Sequence, residues 1–267
     1  MRIALSLGVA LTLLALLPAA AAKEVAIDLR GYRVVLSSRG DLMAPDGDLL
    51  VVARAGRARY VLTAPLIEIR YRAAAGAKEG PDLIVTSFSG GAHCCFTVHA
   101  ITLSPALVED EIPTRDSEPE LDRSATPPRL RFYDFAFAYW KAPFADSPAP
   151  LVIMAWDAKS RSYRPDIAAM RSPPPAPGKL AASAAEVHAK LAASPPDEPA
   201  AELWGRMLDL IYSCNAAAAS RFFDLAWPPN RPGKAAFRAE FVEQLQSGAL
   251  WRRYRLDQQL DADRLFE

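Results

Sequence analysis

The residues with the most evident chemical potential lie between positions 89 and 99. This short segment contains a hydroxyl, two adjacent glycines, two imidazoles and two adjacent thiols, at Ser89, Gly90, Gly91, His93, Cys94, Cys95 and His99. The flanking sequence predicts a strand on each side of a Gly-Gly turn. Glycine takes up positive φ without a steric penalty, so the pair can close a tight turn or leave room for a ligand. We therefore regard this segment as the candidate binding or structural turn.

The adjacent cysteines allow three arrangements. A vicinal disulfide between Cys94 and Cys95 is favoured, although neighbouring Cα atoms lie about 3.8 Å apart across a trans peptide, below the usual disulfide range of about 4.4–6.8 Å. A disulfide from either residue to Cys214 would instead join the turn to the C-terminal part of the chain. The third arrangement is a free pair or a metal site with His93 and His99, but the CxxC spacing typical of zinc ligands is missing.

Nucleophilic catalysis is an alternative role for the same residues. Cys95 and His99 fall on one face of the predicted strand, but four residues of strand span about 13 Å, too far for a hydrogen bond. Ser89 lies nearer to His93 across the turn, yet the GxSxG pattern of a nucleophile elbow is missing. The sequence also lacks HExxH, Walker and GxGxxG motifs. It therefore predicts no catalytic residue, no metal and no cofactor.

Composition narrows the class of protein. The chain has 267 residues and equal numbers of basic and acidic residues, which argues against a general nucleic-acid binder. Hydrophobic residues make up 51% of the sequence, enough to form a folded core. Three cysteines are too few for a disulfide-stapled scaffold. The length is typical of one or two globular domains.

Residues 1–22 have the pattern of a signal peptide. Met1-Arg2 gives a positive start, Ile3–Leu17 is mainly apolar, and Ala19–Ala22 supplies small residues for cleavage. The apolar run of roughly 15 residues is shorter than the ~20 that a membrane-spanning helix needs, and no later segment reaches that length. We therefore expect a soluble periplasmic protein without a transmembrane segment after cleavage. Disulfide bonds are permitted in that compartment.

Residues 23–170 predict a β-rich domain. Apolar and polar residues alternate with period two, and turn signals interrupt the pattern at short intervals. Within this domain, 104–129 is rich in proline and acidic residues, which predicts a solvated loop. Six aromatic residues follow between Phe132 and Trp140. Core packing is the favoured interpretation of this cluster, and a ligand-stacking surface is the alternative.

A Pro-rich linker at 171–178 is expected to connect this domain to a helical domain at 179–267. Apolar residues beyond the linker recur with the helical period, at Leu180, Ala184, Val187 and Leu191, and again at Phe237, Phe241 and Leu245. Asn215 is expected to cap one of these helices. The predicted fold class is therefore α+β, with an N-terminal antiparallel β-rich domain and a C-terminal helical domain.

Two segments carry a resemblance to known proteins. The string DLIVTSFSGGAHCC at Asp82–Cys95 and the block Phe132–Ile167 resemble segments of exported, uncharacterised proteobacterial proteins with a GGAHCC motif. The β-rich half of those proteins is similar to FG-GAP or VCBS β-propeller repeats, which implies propeller-blade-like sheets. The position of the Asp-rich calcium loop in such repeats is occupied here by Ala73–Gly80. A β region of roughly 145 residues is too short for a closed propeller, so we expect separate blades.

These observations together predict a non-enzymatic periplasmic protein that binds an envelope protein or a small ligand. The expected binding surface is the Gly90–Cys95 turn, assisted by aromatic residues near Trp140. One alternative is a thiol- or Ser/His-dependent enzyme. Another is a structural envelope component that docks a partner through the helices between Leu180 and Trp251.

Overall fold

The computed structural model describes residues 22–43, 46–77, 79–92, 94–262 and 265. The predicted signal peptide (except Ala22) and His93 lie outside these residues. Within the described chain, twelve strands form three antiparallel sheets of four strands each, and the helices lie mostly in the C-terminal part. This arrangement confirms the mixed α+β class.

Each sheet is a meander in which strands adjacent in sequence are also adjacent in space. The first sheet contains β1 Lys23–Leu29, β2 Tyr32–Ser38, β3 Asp48–Arg54 and β4 Arg57–Ala64. The second contains β5 Leu66–Arg72, β6 Leu83–Phe88, β7 Phe96–Thr102 and β8 Val108–Arg115. The third contains β9 Glu120–Asp122, β10 Arg129–Tyr133, β11 Leu151–Asp157 and β12 Ser162–Pro165. Short turns suffice because antiparallel neighbours need no crossover connection.

The acidic segment 104–129 differs from the expected solvated loop, because it contains β8 and β9. Along β8, Asp110, Ile112 and Thr114 are buried, whereas Glu111 and Arg115 are exposed. Alternation with period two is thus present, but the charges on its exposed positions resemble those of a solvated loop. A buried aspartate at one of the inward positions further hides the pattern.

The helices of the described chain follow the predicted apolar faces. Their bounds are α1 Ile167–Met170, α2 Pro177–Ala193, α3 Ala201–Tyr212, α4 Ala216–Ala226, α5 Lys234–Ser247, α6 Ala249–Tyr254 and α7 Leu256–Gln259. The α2 residues Leu180, Ala184, Val187 and Leu191 and the α5 residues Phe237, Phe241 and Leu245 are buried, as the helical period predicts. None of the helices in the described ranges has both the length and the apolar content needed to cross a membrane.

Asn215 precedes α4 as expected, but its side chain makes no capping bond. The amide Nδ2 instead donates to the carbonyl oxygens of Ser172, at 3.1 Å, and Ser213, at 2.9 Å. Asn215 therefore fastens the Pro-rich segment to the end of α3, which explains why its side chain is unavailable for the helix terminus.

Two hydrophobic cores hold the layers together. One core lies between the first and second sheets and includes Val34, Leu50, Val85 and Ile101. The other is shared by the opposite face of the second sheet, the third sheet and the helices. Trp140, from the connection between β10 and β11, packs edge-on against Trp204 of α3, with ring centroids 5.3 Å apart. The Pro-rich segment therefore connects two parts of the chain that bury a common core.

Buried aspartates connect successive layers through hydrogen bonds. Asp48 of the first sheet accepts from the backbone N–H of Ile67 in β5, at 2.9 Å. Asp110 of the second sheet accepts from the N–H of Tyr163 in the third, at 2.7 Å. Asp134, after β10, accepts from the hydroxyl of Tyr212 in α3, at 2.7 Å. Each carboxylate satisfies donors that would otherwise be buried without a partner.

Candidate functional site

The loop between β6 and β7, Ser89–Cys95, is closed by the hydroxyl of Ser89. This hydroxyl donates to the carbonyl oxygen of Cys94, at 2.9 Å, and accepts from the N–H of Cys95, at 2.7 Å. The Ser89 N–H also donates to the Cys95 carbonyl oxygen, at 3.1 Å. Since the hydroxyl proton is used in the loop itself, Ser89 serves to hold its shape. Its predicted neighbour His93 lies outside the described residues.

Both glycines are required by local geometry. Gly90 has a φ of 84°, in the region that favours glycine. A Cβ atom on Gly91 would lie 2.4 Å from the carbonyl oxygen of Cys94, closer than such atoms can approach. The two glycines therefore have different roles, since Gly90 provides the backbone turn and Gly91 makes room for the returning chain.

Cys94 and Cys95 are paired with each other in a vicinal disulfide, and Cys214 is the free cysteine. Cys214 lies after α3, where partial burial raises the pKa of its thiol. A raised pKa keeps the thiol protonated at neutral pH and lowers its reactivity. The disulfide and Ser89 thus act on the same loop, whereas Cys214 belongs to the helical part of the core.

A cleft of about 280 Å³, here called the Phe88 cleft, lies beside this loop. Phe88 and Phe96, which flank the loop in sequence, stack with ring centroids 4.4 Å apart and both border the cleft. On its polar side, Arg70 Nη1 lies 3.0 Å from Glu118 Oε1 and 3.3 Å from Glu68 Oε2. The cleft therefore combines an aromatic surface with a charged edge in which carboxylates outnumber the cation.

His99 lies on β7 and is almost fully buried, with 4% of its surface exposed. Its Nε2 atom is 2.8 Å from the hydroxyl of Ser87 on β6, and its Nδ1 atom is 2.6 Å from Glu109 Oε1 on β8. The hydroxyl of Tyr60 on β4 donates to the same Glu109 oxygen, at 2.6 Å. His99 is thus hydrogen-bonded to Ser87 and Glu109, whereas Cys95, on the same predicted strand face, is paired with Cys94.

Sequence reasoning missed Ser87, Glu109 and Tyr60. A signal for the first was available, because pairing β6 with β7 as a hairpin places Ser87 on the same sheet face as His99. Glu109 was hidden because its segment was interpreted as a loop, which has no register. Tyr60 belongs to another sheet, and the packing of two sheets cannot be read from strand periodicity.

The aromatic cluster contributes mainly to the core. Phe132 and Phe137 are buried, and half-buried Trp140 packs on the helical layer. Tyr133 and Tyr139 are exposed, with 51% and 62% of their surfaces accessible. The stacking surface expected near Trp140 is therefore reduced to two tyrosines in the structure.

Other site types have less support. Across the described ranges, no group of three His, Cys, Asp or Glu side chains is arranged to hold a metal ion. A larger cleft of about 780 Å³ lies between the β10–β11 connection and α3, bordered by Asp146, Arg206 and Asp209. This larger cleft is distant in sequence from the Ser89–Cys95 loop, and it has no bordering residue in common with the Phe88 cleft.

Comparison with protein-family models, with curated proteins and with solved structures finds no match to this chain. Function is therefore inferred from the geometry of the loop, the Phe88 cleft and the hydrogen bonds of His99.

Proposed function

We propose that the protein is an exported binding protein whose ligand occupies the Phe88 cleft beside the Ser89–Cys95 loop. The observation that carries this proposal is the fixed geometry of the loop. Its ends are joined by the three hydrogen bonds at Ser89, and its cysteines are paired. The loop joins Phe88 to Phe96, which border the cleft, so it holds both rings in place before a ligand binds. Side chains that are already ordered lose little conformational entropy on binding, which favours affinity.

The chemistry of the cleft supports a small ligand with an apolar ring and a positive charge. The stacked faces of Phe88 and Phe96 offer a surface for a ring or an alkyl group. Arg70 is already paired with Glu68 and Glu118, leaving a net negative edge that favours a cation. The volume of about 280 Å³ is close to the lower end of ligand pockets, which begin near 300 Å³.

Two features support export to the periplasm. The sequence pattern of residues 1–22 is that of a cleavable signal, and the vicinal pairing of Cys94 and Cys95 requires an oxidising compartment to persist. We expect the protein in a periplasmic extract to begin at Lys23. N-terminal sequencing of that extract tests this expectation, and an intact Met1 on protein found only in the cytosol would contradict it.

We also infer that the three sheets are propeller-blade-like units of the FG-GAP or VCBS kind. Three consecutive four-stranded meanders, each formed from one continuous stretch of chain, support this inference. The helices cover the third sheet, where a further blade would lie in a propeller. We therefore infer separate blades and not a closed ring.

Binding is tested with two probes of equal shape and opposite charge, 2-phenylethylamine and phenylacetate. Isothermal titration calorimetry with the mature chain should give a lower Kd for the amine than for the acid. Glu118→Gln should weaken amine binding by about fivefold, as expected for loss of one partly exposed ion pair of roughly 1 kcal/mol. Glu24→Gln, on the exposed strand β1, is the matched control and should have no effect.

The loop is tested separately by the double change Cys94→Ser with Cys95→Ser. If the loop holds the rings of Phe88 and Phe96 in place, the variant should bind the amine more weakly while its unfolding midpoint changes little. Equal affinity for both probes, or unchanged amine binding in Glu118→Gln, would exclude the Phe88 cleft as the site.

A further inference from the structure

Ser87, His99 and Glu109 form a continuous hydrogen-bonded series on one face of the second sheet. In the strand register, His99 lies opposite Val85 on β6 and opposite Glu111 on β8. Ser87 and Glu109 are therefore its diagonal neighbours on either side, within reach because diagonal pairs on one sheet face lie about 7–8 Å apart between backbones. The contacts of 2.8 Å and 2.6 Å show that both side chains turn toward the imidazole.

The two hydrogen-bond partners of His99 indicate which of its ring nitrogens carries a proton. The hydrogen bond from His99 is the main cause of the lowered pKa of Glu109, so this carboxyl is ionised and can only accept. Nδ1 must then carry a proton, and in the neutral imidazole Nε2 accepts from the hydroxyl of Ser87. An imidazole in this tautomer is oriented to take a proton from the serine hydroxyl.

Tyr60 fixes the acidic end of the series. Burial raises the pKa of its hydroxyl, which therefore remains protonated and donates to Glu109. Glu109 consequently holds two donors, one from each of two packed sheets, and it cannot turn away from His99 without breaking both bonds. The imidazole is thereby held in place by groups beyond the serine.

The series runs from solvent to the interior. Ser87 is half-buried near the end of β6, two residues before the exposed loop, whereas His99 is buried between the sheets. Ser87 is thus the more exposed residue of the series and borders the Phe88 cleft, whereas His99 is protected. This order is the one required of a nucleophile supported by a base.

We propose that Ser87 is a nucleophile that cleaves carboxylic esters small enough for the Phe88 cleft of about 280 Å³, with His99 as general base and Glu109 as a positioning residue. A bond forms between Ser87 Oγ and the acyl carbon while the ester C–O bond breaks. The serine proton passes to His99 Nε2 and then to the leaving alcohol. Water then attacks the acyl carbon, giving one proton to His99, and the acid leaves as the proton returns to Ser87. Ser87 borders the Phe88 cleft, but the proposed hydrolysis rests on the hydrogen bonds of His99 and not on the charge preference of that cleft.

The test uses a fluorophosphonate probe on the mature full-length chain, followed by peptide mass analysis. The probe should attach to Ser87 in the folded protein, and labelling should disappear when the protein is unfolded in urea. Ser87→Ala should abolish labelling, and Ser183→Ala on α2 should not change it. Before labelling, the same preparations should release a burst of p-nitrophenol from p-nitrophenyl acetate in proportion to the fraction that the probe later labels, and labelled protein should give no burst.

The positioning role of Glu109 is tested by labelling rate. Glu109→Gln should slow labelling of Ser87 by about 100-fold, the lower end of general-base contributions, and Glu109→Asp should recover part of the rate. Unfolding midpoints measured on each variant separate this effect from loss of fold. Absence of label on Ser87 in the folded wild-type chain, or an unchanged rate in a folded Glu109→Gln variant, would overturn the proposal and leave His99 as a structural bridge. Amine binding by the Phe88 cleft would be unaffected by that outcome.

Discussion

At the scale of single residues, the Ser89–Cys95 loop depends on close backbone approach. The carbonyl oxygen of Cys94 occupies the space that a side chain on Gly91 would need, and the Ser89 hydroxyl fills the remaining hydrogen-bonding positions. The loop therefore has little room for added atoms, and a larger side chain at Gly91 should be costly even though that residue is exposed.

Gly91→Ala should destabilise the protein by about 1–3 kcal/mol, the usual range for inserting atoms where no space exists. Gly178→Ala is the matched control, because a Cβ there meets nothing within 4 Å and the residue lies in α2. That control should be neutral or slightly stabilising, since alanine is the better helix former. Urea unfolding of both variants measures the difference, and equal midpoints would show that the loop can move aside.

A second residue-level prediction concerns acid stability. Because the pKa of Glu109 is lowered in the folded protein below its ordinary value of 4.5, its stabilising contribution is present above that value and is lost as pH falls through the lowered pKa. The difference in unfolding free energy between wild type and Glu109→Gln should therefore shrink as the pH falls below 4.5 and through the lowered pKa.

The comparison of these two proteins cancels the contribution of a neighbour with the opposite behaviour. Burial raises the pKa of Asp110, which by itself makes the folded state more stable as pH falls. Asp110 is present in both proteins, so the remaining pH dependence of the difference reports on Glu109. If the difference in unfolding free energy stayed constant as the pH falls, the hydrogen bond from His99 would not lower the pKa of Glu109.

At the scale of elements, buried carboxylates join one layer to the next. Asp48 accepts from the hydroxyl of Ser38 and the N–H groups of Arg39 and Ile67, at 2.8–2.9 Å, and has no exposed surface. It thereby connects β3, the end of β2 and the start of β5. The order of the layers is thus specified by directional bonds as well as by apolar packing.

Asp48→Ala should lower the unfolding free energy by about 3 kcal/mol, because it leaves several buried donors without a partner, each at a cost of roughly 1–3 kcal/mol. Asp46→Ala is the control two residues away, since Asp46 is largely exposed and pairs with Arg39 at 3.1 Å. The control should change stability by less than about 0.5 kcal/mol. Equal effects in thermal or urea unfolding would argue against a special role for Asp48.

The elements could be predicted from sequence to unequal degrees. The faces of α2 and α5 were identified because their apolar residues recur without interruption, at Leu180, Ala184, Val187 and Leu191 and at Phe237, Phe241 and Leu245. Strand β8 was missed because Asp110 occupies an inward position where an apolar residue is expected, and charge then dominates the pattern. The contacts of His99 were missed for a related reason, since they join strands and sheets whose pairing the sequence does not specify.

At the scale of the whole molecule, the third sheet and the helices share one hydrophobic core. Leu130, Phe132, Val152 and Met154 of this sheet share a buried cluster with Trp204, Phe223 and Phe241 from the helical layer. The Pro-rich segment crosses between them and is itself fastened through Asn215 to Ser172. Separating the two parts of the chain at this segment would expose apolar surface on the third sheet and on the helices.

The chain from residue 23 to 267 should therefore unfold with the third sheet and the helices in one transition. Near-ultraviolet circular dichroism, dominated by the aromatic cluster, should coincide with far-ultraviolet circular dichroism during urea unfolding. A fragment ending at residue 170 should bind a dye for exposed apolar surface more strongly than the full chain. Two separated transitions, or a fragment that unfolds cooperatively without dye binding, would show that the parts are independent.

The shared core also has a consequence for the nascent chain. The first two sheets can form as soon as they emerge, because their common core is complete by residue 103. The third sheet must wait for Trp204 and Phe241, which follow it in the chain. Until they arrive, one face of this sheet has no cover. If the chain is exported as proposed, this interval falls as it enters the periplasm, and a chaperone there that covers exposed strands should raise the yield of folded protein.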